Sequence, residues 1–490
     1  MAPKKYAPEL VDAGFAIEVA DAPLLHAELG IADMAHVLAL TERGVIPADA
    51  GARLLGVLLA AHRIPVEEFP YDPEYGEVYN CRERWFAERI GRDAGWLHAG
   101  RPRREAVRIA MRLRLRRDVV DLIEAAAAFV VAAARQADAH AETFMAEQTY
   151  LQHAQPSTFG HYLVAFAHAV LREVDRLTDE LAWVNRSPAG AGGVNGSRLT
   201  GPDRAKVSAL MCFDDIIEHT RDAMWQADGL LALMSTTASL ATTLAKLAED
   251  LEIWASSEFD YVSLADGHTR TSVLMPQKRN PYALTMVRGE AGVLIGRMAG
   301  MFAVSKSPSA RSDNLIFAYG EVPRAVQLAT RATRLMTGVT AGLTANAPRM
   351  YEALESGFSQ AADLAEHLMA TNGLDYRTAY EIVGAAVRTT AATGLRGVDL
   401  TGAMLDAEAA AILGGPLGLA GTDLSDVLDP RAIVRSRAMR GGAEPEVVRT
   451  MAGAAARAGE LALERARRRR NSFDEVEANL VAAAASVAGT

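Results

Sequence analysis

The sequence predicts an all-α protein built on long helices, and two observations carry this prediction. Half of the 490 residues are apolar while only 6% are aromatic, and alanine and leucine dominate, which favours helix over sheet. Apolar residues also recur every three or four positions over 104–142, 222–257 and 281–304, as on one face of a helix. The first of these helices would span about 55 Å, a length typical of a multi-helix bundle.

The chain is long enough for two or three domains. We predict an N-terminal helical domain over 1–100, with helices over 24–44 and 77–90. A central long-helix bundle domain should follow over 101–354. A C-terminal small helical domain is predicted over 355–490, because shorter helices with Gly and Pro breaks replace the long ones there.

Composition and charge exclude several classes of protein. A net charge of −10 disfavours binding to nucleic acid. The two cysteines, Cys81 and Cys212, lie far apart, which predicts a reducing compartment and no disulfide framework. The segment MAPKKYAPEL has no apolar core of a signal peptide, and no window approaches about 20 uninterrupted apolar residues. We therefore expect a soluble, cytoplasmic protein that does not bind membranes.

The sequence also predicts that the protein has no cofactor. His153, His161 and His168 lack a metal-ligand spacing such as H-E-x-x-H, so we assign no metal. The glycine-rich segment 190–201 follows no predicted strand and does not match G-x-G-x-x-G. A dinucleotide site there is therefore not predicted.

The segment 266–292, DGHTRTSVLMPQKRNPYALTMVRGEAG, differs from the helices around it. Pro281 suits the first turn of a new helix, where its missing N–H costs nothing, so 269–280 is predicted to be a loop that leads into a helix. Backbone N–H groups, the Lys278 ammonium and the Asn280 amide could bind one anion there. Ser272 lies in the same loop and is a candidate proton carrier.

This segment resembles the signature loop of the aspartase/fumarase superfamily, roughly G-S-S-x-M-P-x-K-x-N, and most closely that of argininosuccinate lyase. Ser272 lies six residues before Lys278, the position of the family's catalytic serine. The chain departs from the pattern at Thr271 and Val273. The resemblance implies an aspartase/fumarase-type fold of three helical domains, whose long central helices form a tetramer core with active sites assembled from three subunits.

A second matching segment is TYLQHAQP, at 149–156, which resembles the family's T-H-L-Q-x-A-Q-P. Thr149 matches the threonine that binds a substrate carboxylate, and Gln152 also matches. Tyr150 stands where the family has a histidine associated with proton transfer. Thr285 stands where argininosuccinate lyase has the glutamate that pairs with that histidine. Both members of the pair are therefore replaced, which is coherent because a buried glutamate without its partner would be costly.

Two further segments match in part. The segment LHAGRPRRE, at 97–105, resembles L-H-T-G-R-S-R-N-D: His98 and Arg103 match, whereas Arg104 replaces an asparagine. A basic cluster is unfavourable at a helix N-terminus, so an anion-binding use is expected. Tyr319 matches the tyrosine of Y-N-K-D-x-Q-E, and Arg324 is one of the residues that replace the polar positions after it.

The resemblance implies a carbon–nitrogen lyase without cofactor that removes a proton beside a carboxylate and releases fumarate. Ser272 and Lys278 are the predicted catalytic residues. The predicted substrate-binding residues are Thr149, Asn280, Tyr319, Gln152, Arg103, Arg104, His98, Tyr150 and Arg324. Preorganised donors could stabilise the dianionic intermediate, each by about 3–4 kcal/mol.

Residues on the fumarate side persist, whereas several on the amine side are changed. The preferred hypothesis is therefore a lyase that makes fumarate and an amine other than arginine, comparable to ethylenediamine-disuccinate lyase. Strict argininosuccinate lyase, a cycloisomerase of the same fold acting on carboxymuconate, and a non-catalytic structural homologue are the alternatives. The amine and the general acid stay open. A homotetramer that binds a dicarboxylate and an amine is expected.

Overall fold

The N-terminal part of the chain consists of short and medium helices. The structure is a computed structural model and describes residues 6–199, 204–308 and 313–490, so Thr200 and Gly201 of the glycine-rich segment lie outside the described residues. The helices are α1 (Pro8–Leu10), a π-helical turn (Val11–Phe15), α2 (Ala16–Val19), α3 (Ala22–Glu42), α4 (Ala48–Arg63), a 3-10 turn (Pro73–Tyr75), α5 (Val78–Ile90) and a second 3-10 segment (Gly91–His98).

The long helices follow, joined by short strands. In chain order the elements are α6 (Arg103–Ala139), β1 (Phe144–Thr149), β2 (Gln152–Thr158), α7 (Phe159–Val184), β3 (Arg186–Ser187), α8 (Arg204–Ala209), β4 (Asp215–Ile216), α9 (Thr220–Trp225), α10 (Asp228–Trp254), β5 (Val262–Ser263), β6 (Arg270–Thr271), β7 (Arg279–Asn280), α11 (Tyr282–Ser305), α12 (Ala318–Ala341) and β8 (Thr344–Ala345). The strands form two-stranded ladders only, β1 with β2, β3 with β4, β5 with β8 and β6 with β7, among the residues described.

Shorter helices and one very long helix complete the chain. They are α13 (Ala347–Ser356), α14 (Ala361–Asn372), α15 (Tyr376–Ala392), α16 (Gly402–Leu413), α17 (Ser425–Leu428), α18 (Pro430–Ser436) and α19 (Pro445–Ala488). The prediction of an all-α fold with long central helices is therefore confirmed.

The helix predicted over 222–257 is interrupted near its start. Gln226 has ψ 131°, which ends α9 at Trp225 before α10 begins at Asp228. The amide of Gln226 accepts from Arg112 of α6 and donates to Asp222 at 2.7 Å. The tertiary hydrogen bond from Arg112 competes with the local helical preference, and periodicity alone cannot anticipate it.

Residues of the predicted C-terminal domain, 355–490, contribute to two separate cores. Helices α14 to α17 bury their own apolar cluster, which includes Leu368, Ile382 and Leu405. The last helix, α19, instead packs in the main core through Phe473 and Leu480. By packing, α19 belongs with the long-helix bundle and not with α14 to α17, because its apolar face is covered by the bundle.

The long helices α6 and α12 run in the same direction. Near the N-termini of both helices, the Tyr319 hydroxyl lies close enough to the Arg104 guanidinium to raise the pKa of Arg104. Near the C-termini of both, Gln136 donates to the carbonyl of Ala341 at 3.0 Å. Helix α7 runs the opposite way, since Arg112 of α6 donates to the carbonyl of Val184 at 3.1 Å. The bundle therefore has two distinct ends, about 55 Å apart along α6.

Helices α3 and α10 are long and apolar enough to cross a membrane by length and composition alone. Of their most apolar windows, 78% and 56% are buried inside the fold. Apolar helices covered in this way are what the core of a helical bundle requires.

Candidate active site

The signature loop is a short hairpin rather than an open loop. β6 and β7 pair antiparallel, Arg270 opposite Asn280 and Thr271 opposite Arg279, and the tip spans 272–278. Helix α11 begins directly after it, with Pro281 as the residue before its first turn. As predicted, this segment leads directly into the N-terminus of a helix, α11. The β6–β7 ladder closes the base of the loop.

The Ser272 hydroxyl lies at the start of this tip and accepts two hydrogen bonds from backbone. The N–H groups of Leu274 and Met275 donate to Ser272 Oγ at 3.2 and 3.0 Å. Donors aimed at an oxygen stabilise negative charge on it. These two donors therefore stabilise negative charge on Ser272 Oγ more than it would be stabilised on a serine without them.

Further contacts hold the base of the loop. The Asn280 amide donates to the carbonyl of Arg270 at 2.9 Å, and Arg279 forms an ion pair with Asp266 and donates to the carbonyl of Leu264. The Lys278 side chain is exposed. In this structure Asn280, a predicted substrate ligand, thus stabilises the loop itself, whereas Lys278 points to solvent.

The second predicted segment forms the turn of the β1–β2 hairpin. Thr149 pairs with Gln152, and Tyr150 and Leu151 between them have φ of 54° and 58°. Two successive left-handed residues define a type I′ turn, which normally requires Asn or Gly. Tyr150 is 99% exposed, so a strained turn presents Thr149, Tyr150 and Gln152 outward.

The hairpin and the signature loop lie at the same end of the bundle. The Trp254 indole, at the end of α10, donates to Gln148 Oε1 at 3.3 Å. The Tyr261 hydroxyl, before the signature loop, lies 3.5 Å from His153 Nε2 on β2. We call the hairpin (144–158) and the signature loop (266–280) together the loop end.

The remaining predicted residues lie at the opposite end, around the start of α6 and of α12. Arg104 forms an ion pair with Glu18 at 2.9 Å, and Arg103 forms one with Glu77 at 3.4 Å. A further pair is Arg324 with Asp21, at 2.6 Å. The set His98, Arg103, Arg104, Tyr319 and Arg324 is called the arginine end below.

His98 belongs to this end through Glu83, whose carboxylate lies 3.0 Å from His98 Nε2. The hydrogen bond from His98 holds the pKa of Glu83 below its ordinary value.

The carboxylates that face the arginines are largely buried, and burial shifts the pKa values of two of them upward. Burial raises the pKa of Asp21, although Arg324 opposes the shift. Burial likewise raises the pKa of Glu77, against Arg104 and Arg103. Burial alone would lower the pKa of Arg104, but Tyr319 and Glu18 raise it above its ordinary value. The charges at this end are therefore compensated inside the fold.

Tyr319 and Gly320 show how closely this end is packed. Tyr319 is only 3% exposed, and its hydroxyl has no hydrogen-bond partner among the described residues, which is uncommon for a buried polar atom. A Cβ on Gly320 would clash with the Asp21 carboxylate and the Arg324 guanidinium. The ion pair between Asp21 and Arg324 therefore depends on glycine at position 320.

A cleft of about 270 Å³ opens beside the ion pair of Asp21 and Arg324. It is lined by Ala13, Gly14, Ile17, Glu18, Ala20, Asp21, Ile316, Phe317, Glu321 and Arg324. Among the described residues, no group of three or more His, Cys, Asp or Glu could hold a metal ion.

The acidic partners Glu18, Asp21 and Glu77 were not predicted from the sequence. Arg104 and Glu18 lie 86 residues apart, and Arg324 and Asp21 lie 303 apart. No local pattern marks such pairs. The only available signal is the surplus of arginine at the start of α6, which requires compensation once the helix is buried.

Comparison with known proteins is consistent with this architecture. Residues 53–296 match the family described as Lyase, and 358–435 match the argininosuccinate lyase C-terminal family. The chain is 32% identical over 445 residues to argininosuccinate lyase of Methanothrix thermoacetophila, covering 91% of this chain and 90% of that protein. It is 36% identical over 436 residues to that of Halobacterium salinarum, covering 87% and 86%.

The fold also matches a solved structure of an EDDS lyase variant with bound fumarate, with a TM-score of 0.89 and 26% identity. That match covers 99% of this chain and 96% of the other. The protein is therefore an enzyme, a carbon–nitrogen lyase. It belongs to the aspartase/fumarase superfamily, close to argininosuccinate lyase and EDDS lyase.

Proposed function

We propose that the protein catalyses the reversible β-elimination of an N-substituted aspartate to fumarate and an amine. The observation that carries this proposal is the Ser272 hydroxyl, held by the N–H groups of Leu274 and Met275 in an exposed loop beside Lys278. Once ionised, a hydroxyl in this setting can act as a base toward a carbon-bound proton. The structural similarity to EDDS lyase with bound fumarate supports the choice of product.

In the proposed reaction Ser272 Oγ takes the proton from the carbon next to the substrate carboxylate. The electron pair moves into the carboxylate and forms a dianion, which needs cationic and N–H donors around it. Lys278 is exposed on the same loop and would supply the cation, and Thr149 and Gln152 on the hairpin would bind the second carboxylate. The bond between carbon and nitrogen then breaks, its electron pair goes to the nitrogen, which is already protonated in the substrate, and a neutral amine leaves.

The site requires more than one copy of the chain. Ser272 and Lys278 lie at the loop end, whereas Tyr319 and Arg104 lie at the arginine end, about 55 Å away along the bundle. One substrate cannot contact both ends of a single chain. We infer that each active site combines the loop end of some subunits with the arginine end of another, in a homotetramer.

The surface of α11 supports this association. Along it Met286, Val293, Ile295 and Phe302 are exposed, and a Cβ on Gly289, Gly292, Gly296 or Gly300 would meet nothing within 4 Å. An apolar helix face with a glycine track is suited to close packing against another helix, and exposed apolar patches of this kind mark interaction sites. A second copy of the chain is the occupant that the composite site requires.

For the amine we propose a group other than arginine. The side chains at Arg104, Tyr150, Thr285 and Arg324 differ from those of argininosuccinate lyase. Thr285 donates to Glu252 Oε1 at 3.2 Å instead of supplying a carboxylate itself. A leaving amine that is already protonated would need no dedicated histidine. The proposed location is the cytoplasm, in keeping with soluble metabolic relatives.

The direct test is to incubate the enzyme with fumarate and a panel of amines that includes arginine, ethylenediamine and ammonia. Loss of fumarate absorbance with a non-arginine amine is the expected result. Ser272→Ala in parallel should abolish the change while circular dichroism stays helical. No absorbance change with fumarate and any amine, and none with any N-substituted aspartate, would refute the proposal.

Strict argininosuccinate lyase is the second candidate, because relatives at 32–36% identity carry that name. The same panel separates the two. Arginine as the sole productive amine would establish the second candidate and overturn the first.

A further inference from the structure

The carboxylate of Glu105 is buried between the start of α6 and the glycine-rich loop, which we define as residues 190–199. Its side chain is 1% exposed. The N–H of Gly190 donates to Glu105 Oε1 at 2.7 Å, and the N–H of Gly192 donates to Oε2 at 2.6 Å. Each carboxylate oxygen is therefore used by one backbone donor of the loop.

The loop can reach this carboxylate only with glycine at both donor positions. Gly190 and Gly192 have φ of 79° and 62°, which other residues rarely adopt. A Cβ on Gly190 would lie 2.6 Å from Arg204 Cγ, and one on Gly192 would lie 2.9 Å from the carbonyl oxygen of Gly196. The backbone conformation that brings both N–H groups to the Glu105 carboxylate therefore depends on these two glycines.

The same loop packs against the turn that precedes α6. A Cβ on Gly100, which has φ 71°, would clash with the hydroxyl of Ser197. Gly100 lies between His98 and Arg103, and Glu105 follows Arg104 directly. The loop and the arginine end are therefore in contact on both sides of the two arginines, while 193–196 of the loop face solvent.

We propose that Glu105 is a positioning residue for the substrate site: it fixes the glycine-rich loop against the start of α6 and so holds Arg103 and Arg104 in one orientation. This inference rests on the proposed function, because it takes the arginine end to contact substrate. Glu105 does not itself touch the reacting atoms.

A carboxylate is needed here and an amide does not replace it. Glu105→Gln keeps the size, but its NH2 group would face one of the two glycine N–H donors, so one donor loses its acceptor. Glu105→Asp keeps two acceptor oxygens on a side chain shorter by one methylene. Asp therefore allows both hydrogen bonds if the loop shifts slightly, and Gln does not.

Protonation of Glu105 would have an effect similar to that of Gln. Burial raises the pKa of Glu105 to about 7, opposed by the N–H groups of Gly190 and Gly192 and by Arg101 and Arg204. His36 of α3 also faces this small cavity, and burial holds its pKa well below the ordinary value, so it stays neutral near pH 7. Above pH 7 both oxygens accept; below it, one carries a proton.

The experiment compares the full-length wild type with Glu105→Gln and Glu105→Asp, and with Asp118→Asn as the matched control. Asp118 is a buried carboxylate on the same helix, 4% exposed, bound to Arg114 and Gln327, and far from the loop. Two readouts are taken: hydrogen exchange of peptides covering 188–199, and steady-state fumarate release from pH 6 to 8.

Glu105→Gln should speed exchange in 188–199 and lower kcat/KM by up to about 100-fold, mainly through KM, as expected for a misplaced binding group. In the wild type, KM should rise below pH 7 as Glu105 takes up a proton, and this rise should be absent in Glu105→Gln. Glu105→Asp should restore part of kcat/KM, and Asp118→Asn should change stability without changing KM.

Unchanged exchange in Glu105→Gln, or a KM equal to that of Asp118→Asn, would overturn the inference. A wild type that releases fumarate from no N-substituted aspartate would overturn the proposed function instead, and the exchange measurement would still show whether Glu105 holds the loop.

Discussion

The two ends of the bundle are built in different ways. At the loop end, Lys278 and Tyr150 are exposed and Ser272 is half-buried, on two short hairpins. At the arginine end, Arg103, Arg104 and Arg324 each face a carboxylate, and Tyr319 is buried. Exposed hairpins can adjust to a substrate, whereas arginines paired with largely buried carboxylates are held in place before substrate arrives. In the proposed function, chemistry is assigned to the loop end and recognition to the arginine end, and the predictions below test this assignment.

The largest effect should come from the loop end. Ser272→Ala removes the proposed base, so kcat should fall by at least about 10²–10⁴-fold, with little change in stability because the side chain lies in an exposed loop. Ser263→Ala, an exposed serine before the loop, is the control and should keep activity. Steady-state fumarate release checks both, and substantial activity in Ser272→Ala would place the chemistry elsewhere.

A smaller effect is expected from Gly320→Ala at the arginine end. The added Cβ would clash with the ion pair of Asp21 and Arg324, and overpacking of this kind costs about 1–3 kcal/mol. KM should rise while kcat changes less. Thermal unfolding and kinetics measure the two effects, with Gly384→Ala on α15 as control, since its Cβ would meet only Arg388 at 3.5 Å. A purely kcat-based loss would contradict a recognition role.

The smallest effect concerns the strained turn of the hairpin. Leu151→Gly removes the conformational penalty of φ 58°, which is about 1 kcal/mol or more for a non-glycine residue. Part of this gain is offset by the greater freedom of glycine in the unfolded chain. We expect a small increase in the free energy of unfolding by denaturant titration. Destabilisation as large as that of Thr149→Gly, an exposed position of β1 that pairs with Gln152, would show that the turn is not strained.

The long helices could be predicted because their periodicity is local. α6 and α11 begin and end within a few residues of the predicted 104–142 and 281–304. The β1–β2 hairpin was not predicted, because Tyr150 and Leu151 are not residues that normally form a type I′ turn. The break at Gln226 was also missed, since its cause is a hydrogen bond from Arg112 on another helix.

The candidate site was predictable only where residues form motifs. Ser272, Lys278, Thr149 and Tyr319 could be identified from sequence segments, but their separation between two ends of the bundle could not. That separation depends on the parallel course of α6 and α12, which no local pattern encodes. The acidic partners of the arginines depend on the same packing. How these residues act in catalysis stays a prediction.

The most direct test of a site shared between subunits is complementation between Ser272→Ala and Arg104→Gln. Each variant alone should be nearly inactive. The two are dissociated, mixed and reassembled, and fumarate release is measured, with mass spectrometry to verify that mixed oligomers form. If the loop end and the arginine end of one site come from different chains, some sites in the mixture contain no substitution and activity returns. Mixed oligomers that stay as inactive as the parent variants would contradict the composite site.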